Sequence, residues 1–401
     1  MHSVLPRVAA GLASFLLCFS LQAATPNLVV YTYDSFVSDW GPGPKVKEAF
    51  EATCNCTLEL VGLSDGVAML NRLKLEGDNS RADILLGIDT NLTAEARSSG
   101  LFDVHELSLQ SSALPDPWQD DLFLPYDFGY FAFVYNKEKL SSPPTSLRQL
   151  VDDSDGPTLL IQDPRTSTPG LGLLLWLKKI YGDKADQAWA KLSPRIVTVS
   201  KGWSEAYGLF LKGEADMVLS YTTSPAYHII AEQDLRFAAA RFEEGHYQQI
   251  EVAGMVRSSQ QKELARQFLA FMISEDFQKI IPTTNWMYPV VGGDKTMPPE
   301  FEQLIDPAPA LQLEVQVADT LRTKIFDLRL EGLLIVGKGK FIGLVRRAGL
   351  ESQLPGVQRQ FRIDDFFSLI GFTGVEARVL DTSLEAVKTV ESDRTSRKKE
   401  Q

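Results

Sequence analysis

Histidine is scarce in this chain, with four in 401 residues. His2 falls in a leader segment, and His105, His228 and His246 lie far apart in sequence. No HExxH, GxSxG or Walker pattern occurs, so nothing points to a zinc protease, a serine hydrolase or a nucleotide-binding loop. "GLGLLL" is a weak glycine pattern inside an apolar segment. Internal repeats and low-complexity tracts are absent. After residue 24 no run reaches the ~18 apolar residues that a membrane-crossing helix needs. Positive charge is also short, with 40 Lys+Arg against 52 Asp+Glu and a net charge of −12. Residues 321–401 carry 15 Lys+Arg and 11 Asp+Glu, which leaves 25 and 41 for residues 1–320. The acidic body argues against nucleic acid or an anionic membrane as partner. It suits a cationic ligand, although a solvated acidic surface would produce the same number.

The first 24 residues read as a secretory signal. Arg7 supplies a short positive start, residues 8–21 are apolar, and Ala23 and Ala24 precede Thr25. Such a run is too short for a permanent span and ends in a cleavage-like site. A lipid anchor at Cys18 is disfavoured because Leu16 and Leu17 stand where small residues are needed. The mature chain is therefore expected to start near Ala24, in the periplasm. It keeps two cysteines, Cys54 and Cys56, in "TCNCT". Export places them where a disulfide persists. A CxC pair can also be a metal or redox motif, but no third ligand is near, so a short-loop disulfide is expected.

With 44% apolar residues the chain can bury a large core. Strand and helix patterns alternate. "NLVVYTY", "TLELVGL", "ADILLGI", "FAFVYN", "PTLLIQ", "RIVTVS" and "ADMVLSY" read as strands. "GPKVKEAFEAT", "DGVAMLNRLKLEG", "TPGLGLLLWLKKIYG" and "SEAYGLFLKGE" read as helices. The fold class is α/β, with mostly parallel sheets covered by helices. Trp176 and Trp189 sit at helical spacing and are expected in the core.

The turns after the strands hold the more unusual chemistry. Ser64 or Asp65, Ser167 or Thr168, and Thr223 or Ser224 each stand just after a strand, at the opening of a helix. Capping of orphan amides explains any one such turn. Three of them on the edge where open α/β sheets bind ligands suggest a site. Rings gather at the same edge: Tyr31, Tyr33 and Trp40 in "YTYDSFVSDWGPGP", then Trp203, Tyr221, Tyr227, Trp286 and Tyr288. Rings on loops around an acidic cleft make a cage for a flat cation, each good contact adding ~0.5–2 kcal/mol. His228 follows Tyr227 and is read as structural.

The runs "VYTYDSF", "SDGV", "ADILLGID", "QDPRTSTPGLGLLLW", "VSKGWSEAYGLFLKGEADMVLSYTTSPAYH" and "IPTTNWMYPV" closely resemble the periplasmic thiamine-binding proteins, the solute receptors of bacterial thiamine ABC importers. The resemblance covers residues 27 to about 315. It implies a two-lobed type II periplasmic binding protein with a hinge and an interlobe ligand cleft. The implied lobes are residues 25–128 with 270–315, and residues 129–269. Thiamine, thiamine monophosphate and thiamine diphosphate are the implied ligands, with an inner-membrane permease as partner, no cofactor and no metal. The resemblance assigns ligand contact to Asp65, Gly66, Ser167, Thr168, Trp203, Tyr221, Thr222, Thr223 and Ser224. It assigns the aromatic lining to Tyr33, Tyr227 and Trp286. Asp65 and nearby hydroxyls would suit an aminopyrimidine, and the helix starts at Ser167 and Ser224 a phosphate tail.

Two other functions share this architecture. A thiaminase-like enzyme would need a cysteine nucleophile at the ligand edge, whereas Cys54 and Cys56 precede a strand and so lie at the opposite edge. A ferric-ion receptor would need hard ligands converging on one metal, and here tyrosines alternate with tryptophans. A receptor that is not an enzyme is therefore expected. Residues 316–401 leave the resemblance, change the sign of the charge and read as an extension of unassigned role, such as a frameshift product.

Overall fold

The computed structural model describes residues 25–314 except 110, 112, 115–117 and 294–296, together with Ala318 and three backbone segments, 332–337, 340–346 and 377–379. The expected signal peptide and most of the extension lie outside these residues.

Eleven strands build the part of the molecule that matters here. They are β1 (Asn27–Tyr33), β2 (Thr57–Leu63), β3 (Ile84–Asp89), β4 (Phe102–Asp103), β5 (Phe123–Asn136) and β6 (Leu159–Gln162). β7 (Ile196–Ser200), β8 (Met217–Tyr221), β9 (Phe237–Ala239), β10 (His246–Val256) and β11 (Tyr288–Pro289) follow. The main order is β2-β1-β3-β10-β5-β8-β6-β7. β2-β1-β3 is parallel at one end and β8-β6-β7 at the other. The parallel character expected from sequence thus holds in two separate blocks. Antiparallel β10 and β5 join them.

The joint is where the lobes meet. Residues 123–130 of β5 pair with β10, and residues 131–135 pair with β8. The chain therefore leaves the first block within one 14-residue strand and returns through β10. Every residue of β10 is buried, so it shows no alternation of polar and apolar positions. The return comes earlier than the expected boundary near residue 269. Helix Lys262–Met272 already packs on helix Gly43–Cys54, with Phe268 edge-on to Phe50 at 4.9 Å. Beyond Tyr288 the chain goes back to the second block, where Ile305 packs on the cluster holding Phe210 and Val218.

Helix Thr168–Tyr181 is apolar on nearly all sides and buries Trp176 completely. Trp189, expected in the core, is half-buried against the same cluster. Cys54 and Cys56 are joined by a disulfide with Cα atoms 5.1 Å apart. They lie before β2, at the opposite end of that strand from Ser64 and Asp65.

Candidate functional site

The C-terminal ends of both parallel blocks face one cavity of about 480 Å³. Eight of the twelve residues singled out from sequence line it: Tyr33, Asp65, Thr168, Trp203, Tyr221, Ser224, Tyr227 and Trp286. Gly66, Ser167, Thr222 and Thr223 do not. Thr222 and Thr223 are fully buried behind the turn after β8. Gly66 and Ser167 act one layer back.

Asp65 shows how the first turn is built. It caps helix Gly66–Glu76 with extended backbone, and its Oδ1 accepts from the Gly66 amide at 2.7 Å. The same carboxylate reaches across to the other lobe. Ser167 Oγ donates to Oδ2 at 2.7 Å, the Thr168 amide to Oδ1 at 3.1 Å and the Trp203 amide to Oδ2 at 3.1 Å. Asp65 thus serves the starts of three helices, Gly66–Glu76, Thr168–Tyr181 and Trp203–Leu211. Amides at helix starts stabilise a negative charge. Burial still outweighs them and holds the Asp65 carboxyl above its usual range. The close approach needs Gly66, because a Cβ there would meet Thr168 Cγ2 at 2.6 Å and the Gly87 carbonyl at 2.7 Å. A second interlobe link joins Ser204 Oγ to Asp34 Oδ1 at 2.7 Å. Burial raises the Asp34 carboxyl as well.

The rings form the rim. Trp203 stacks on Tyr207 with centroids 4.9 Å apart, and Trp40 lies 6.2 Å from it. Trp203 Nε1 donates to Ser220 Oγ at 2.8 Å. Trp286 stands edge-on to Tyr227 at 5.4 Å. Its backbone has φ +57°, a conformation that non-glycine residues adopt at some cost. Its Nε1 is buried and has no partner among the described residues. Tyr31, a ring of the opening stretch, is fully buried and bonds Glu76 instead. His228 is also fully buried, between Tyr207 Oη at 2.9 Å and Glu232 Oε2 at 2.6 Å.

The floor was not legible from sequence. Tyr33 Oη donates to Glu251 Oε2 at 2.8 Å, Tyr126 Oη donates to the same oxygen at 2.5 Å, and Asn285 Nδ2 donates to Tyr33 Oη at 2.9 Å. Tyr33 fits here because Gly87, at φ +108°, has no Cβ, which would lie 2.4 Å from the ring. Asp127 and Asp89 lie beneath, both fully buried. Burial pushes Glu251 and Asp89 up to about 7, and Asp127 well above its ordinary value. The Tyr33, Tyr126 and Tyr221 phenols are raised by burial and by these neighbouring acids. No lysine or arginine lines the cavity among the described residues. The hints in the sequence were two acids inside strands, Glu251 in "IEVAG" and Asp127 in "PYDFG".

The wider likenesses agree with this arrangement. The bacterial extracellular solute-binding protein family matches residues 43–279. The thiamine-binding periplasmic protein of Escherichia coli strain K12 is 58% identical over 297 residues, 74% of this chain and 90% of that protein. A solved periplasmic thiamin binding protein superposes with a TM-score of 0.74 at 53% identity, over 81% of this chain and 98% of that one. Iron-bound HitA from Pseudomonas aeruginosa superposes with a TM-score of 0.60 at 21% identity, over 75% of this chain and 99% of that one, and shares the fold alone.

Proposed function

The chain belongs to the bacterial extracellular solute-binding proteins, in the group of the thiamine-binding periplasmic proteins, and from that membership we propose that its cleft captures thiamine for an ABC importer. It is a periplasmic protein of the two-lobed type II fold. The observation that carries the proposal is the pairing of an aromatic rim with an acidic floor in a cavity free of lysine and arginine among its described lining. Thiazolium is a flat permanent cation, so ring faces and buried carboxylates both favour it. The volume of about 480 Å³ lies within the ~300–1,000 Å³ usual for small-molecule sites.

Thiamine monophosphate and diphosphate are further proposed ligands, with hydroxyls of Ser35, Ser38 and Ser204 lining the same cavity. The proposed partner is the inner-membrane permease of the importer. We propose binding without turnover. Both mature cysteines are tied in a disulfide at the far end of β2, and nucleophilic attack needs a free thiolate at the ligand.

The test is mass spectrometry of natively purified protein, followed by calorimetry with thiamine and its two phosphates. Thiamine or an ester should co-purify and bind one to one. A folded protein that binds none of the three overturns the proposal.

A further inference from the structure

The floor of the cleft holds more acid than one ligand cation needs. Glu251 of β10 and Asp127 of β5 are cross-strand partners, on the two strands that carry the chain between lobes. Glu251 Oε2 is occupied by the Tyr33 and Tyr126 hydroxyls, and Oε1 accepts from Gln249 Nε2 at 2.9 Å. Asp127 Oδ2 accepts from Asn285 Nδ2 at 2.6 Å. Its Oδ1 is buried and has no donor among the described residues.

A carboxylate oxygen can only accept. Leaving one buried and unmet is costly, and so is ionising two neighbouring carboxyls away from water. One proton shared by the pair resolves both problems. The groups facing the pair do not offer another solution. Asp89 of β3 and Asp65 at the start of helix Gly66–Glu76 are acids, and Tyr33 of β1, Tyr126 of β5 and Tyr221 of β8 are phenols. Burial raises both carboxyls of the pair, the Glu251 charge raises Asp127 further, and the hydrogen bond between them favours the ionised Glu251, so the two titrate as a unit with the proton on the Asp127 side. Of the two, Glu251 lines the cavity.

We infer that Asp127 and Glu251 hold one proton between them before ligand enters, that Glu251 is the counter-charge of the ligand's ring cation, and that the proton leaves for solvent as the cation arrives. The pair then passes from one negative charge to two while one positive charge enters, so the net charge of the floor is unchanged. Capture therefore carries a proton release, and lower pH opposes it. The inference rests on the cleft being a thiamine site.

The test is calorimetry on the full chain near neutral pH, in buffers of different ionisation heat. Thiamine is compared with 3-deazathiamine, its uncharged-ring isostere. Thiamine should release about one proton per molecule bound, by linkage. The isostere should release none and bind at least tenfold more weakly. Asp127→Asn should bind thiamine without proton release, because its amide has no titratable proton to give up. Glu251→Gln should also release none and should lose at least tenfold in affinity. Thiamine binding with no buffer-dependent heat overturns the inference and leaves the proposed function standing. Infrared spectra of ligand-free protein separate the two ideas further. A protonated-carboxyl band at neutral pH, lost in both Asp127→Asn and Glu251→Gln, supports the pair even if thiamine fails to bind. Absence of that band overturns it.

Discussion

The rim and the floor of the cleft are made of different materials. Trp40 on the rim is 47% exposed, and Trp203 and Trp286 are partly buried rings, the first stacked on Tyr207 and bonded to Ser220, the second edge-on to Tyr227. The floor is Tyr33, Tyr126, Asp127 and Glu251, all buried, with nearly every polar atom assigned a partner. Ring burial and cation–π attraction are graded, so each rim residue contributes in proportion to its contact. Buried hydrogen bonds are closer to all-or-none, because an unmet donor or acceptor costs more than a made bond contributes. The rim should therefore tolerate substitution, and the hydrogen-bonded interior should not.

The largest test of that contrast lies at Asp65. Asp65→Ala leaves the Ser167 hydroxyl and the Gly66, Thr168 and Trp203 amides without their acceptor. The described interlobe arrangement should lose about 3 kcal/mol or more, from unmet groups costing ~1–3 kcal/mol each. Urea titrations with and without thiamine would read this as a loss of ligand-induced stabilisation. An unchanged titration would show that the interlobe carboxylate is as dispensable as a rim contact.

On the rim, Trp203→Ala should weaken thiamine binding by roughly 1–3 kcal/mol and Trp40→Ala by less than about 1 kcal/mol, since Trp40 leaves half its surface in water. Calorimetry on the two variants measures the gradient directly. Equal losses would remove the argument that rim contributions scale with contact.

The smallest effect is expected far from both regions. The Cys54→Ser, Cys56→Ser double variant opens a very short loop at the far end of β2. It should cost about 1–2 kcal/mol of stability by the chain-entropy estimate. Thiamine affinity should be unchanged, and a shift in affinity would show that the disulfide positions the cleft.

The rim was legible in the sequence because its rings interrupt the strand-to-helix pattern. Trp203 follows "RIVTVS" and Tyr221 closes "ADMVLSY", and both line the cavity. The caps were legible for a similar reason, since Asp65 and Ser167 precede apolar helical runs. Their roles were not. Asp65 was expected to meet an aminopyrimidine, and the structure shows its oxygens engaged with three helix starts. Ser167 was expected to meet a phosphate, and its hydroxyl donates to Asp65. Tyr31 stood among the rings of the opening stretch but is buried against Glu76, whereas Tyr33, on the same face of β1 two residues on, stands at the strand's C-terminal end and reaches the cleft.

By itself the sequence determined the local elements, the mostly parallel α/β class and the acidic, ring-rich edge. Periodicity, capping residues and charge act over a few residues and can be read there. Only the tertiary structure decided that β5 and β10 cross between the lobes, and that Glu251 therefore meets Asp127 across 124 positions of chain. It alone brought Tyr33 and Tyr126 onto one carboxylate oxygen. The physical reason is that desolvation and like-charge coupling depend on distance in space, and a lone acid in a strand carries no record of which acid it will face.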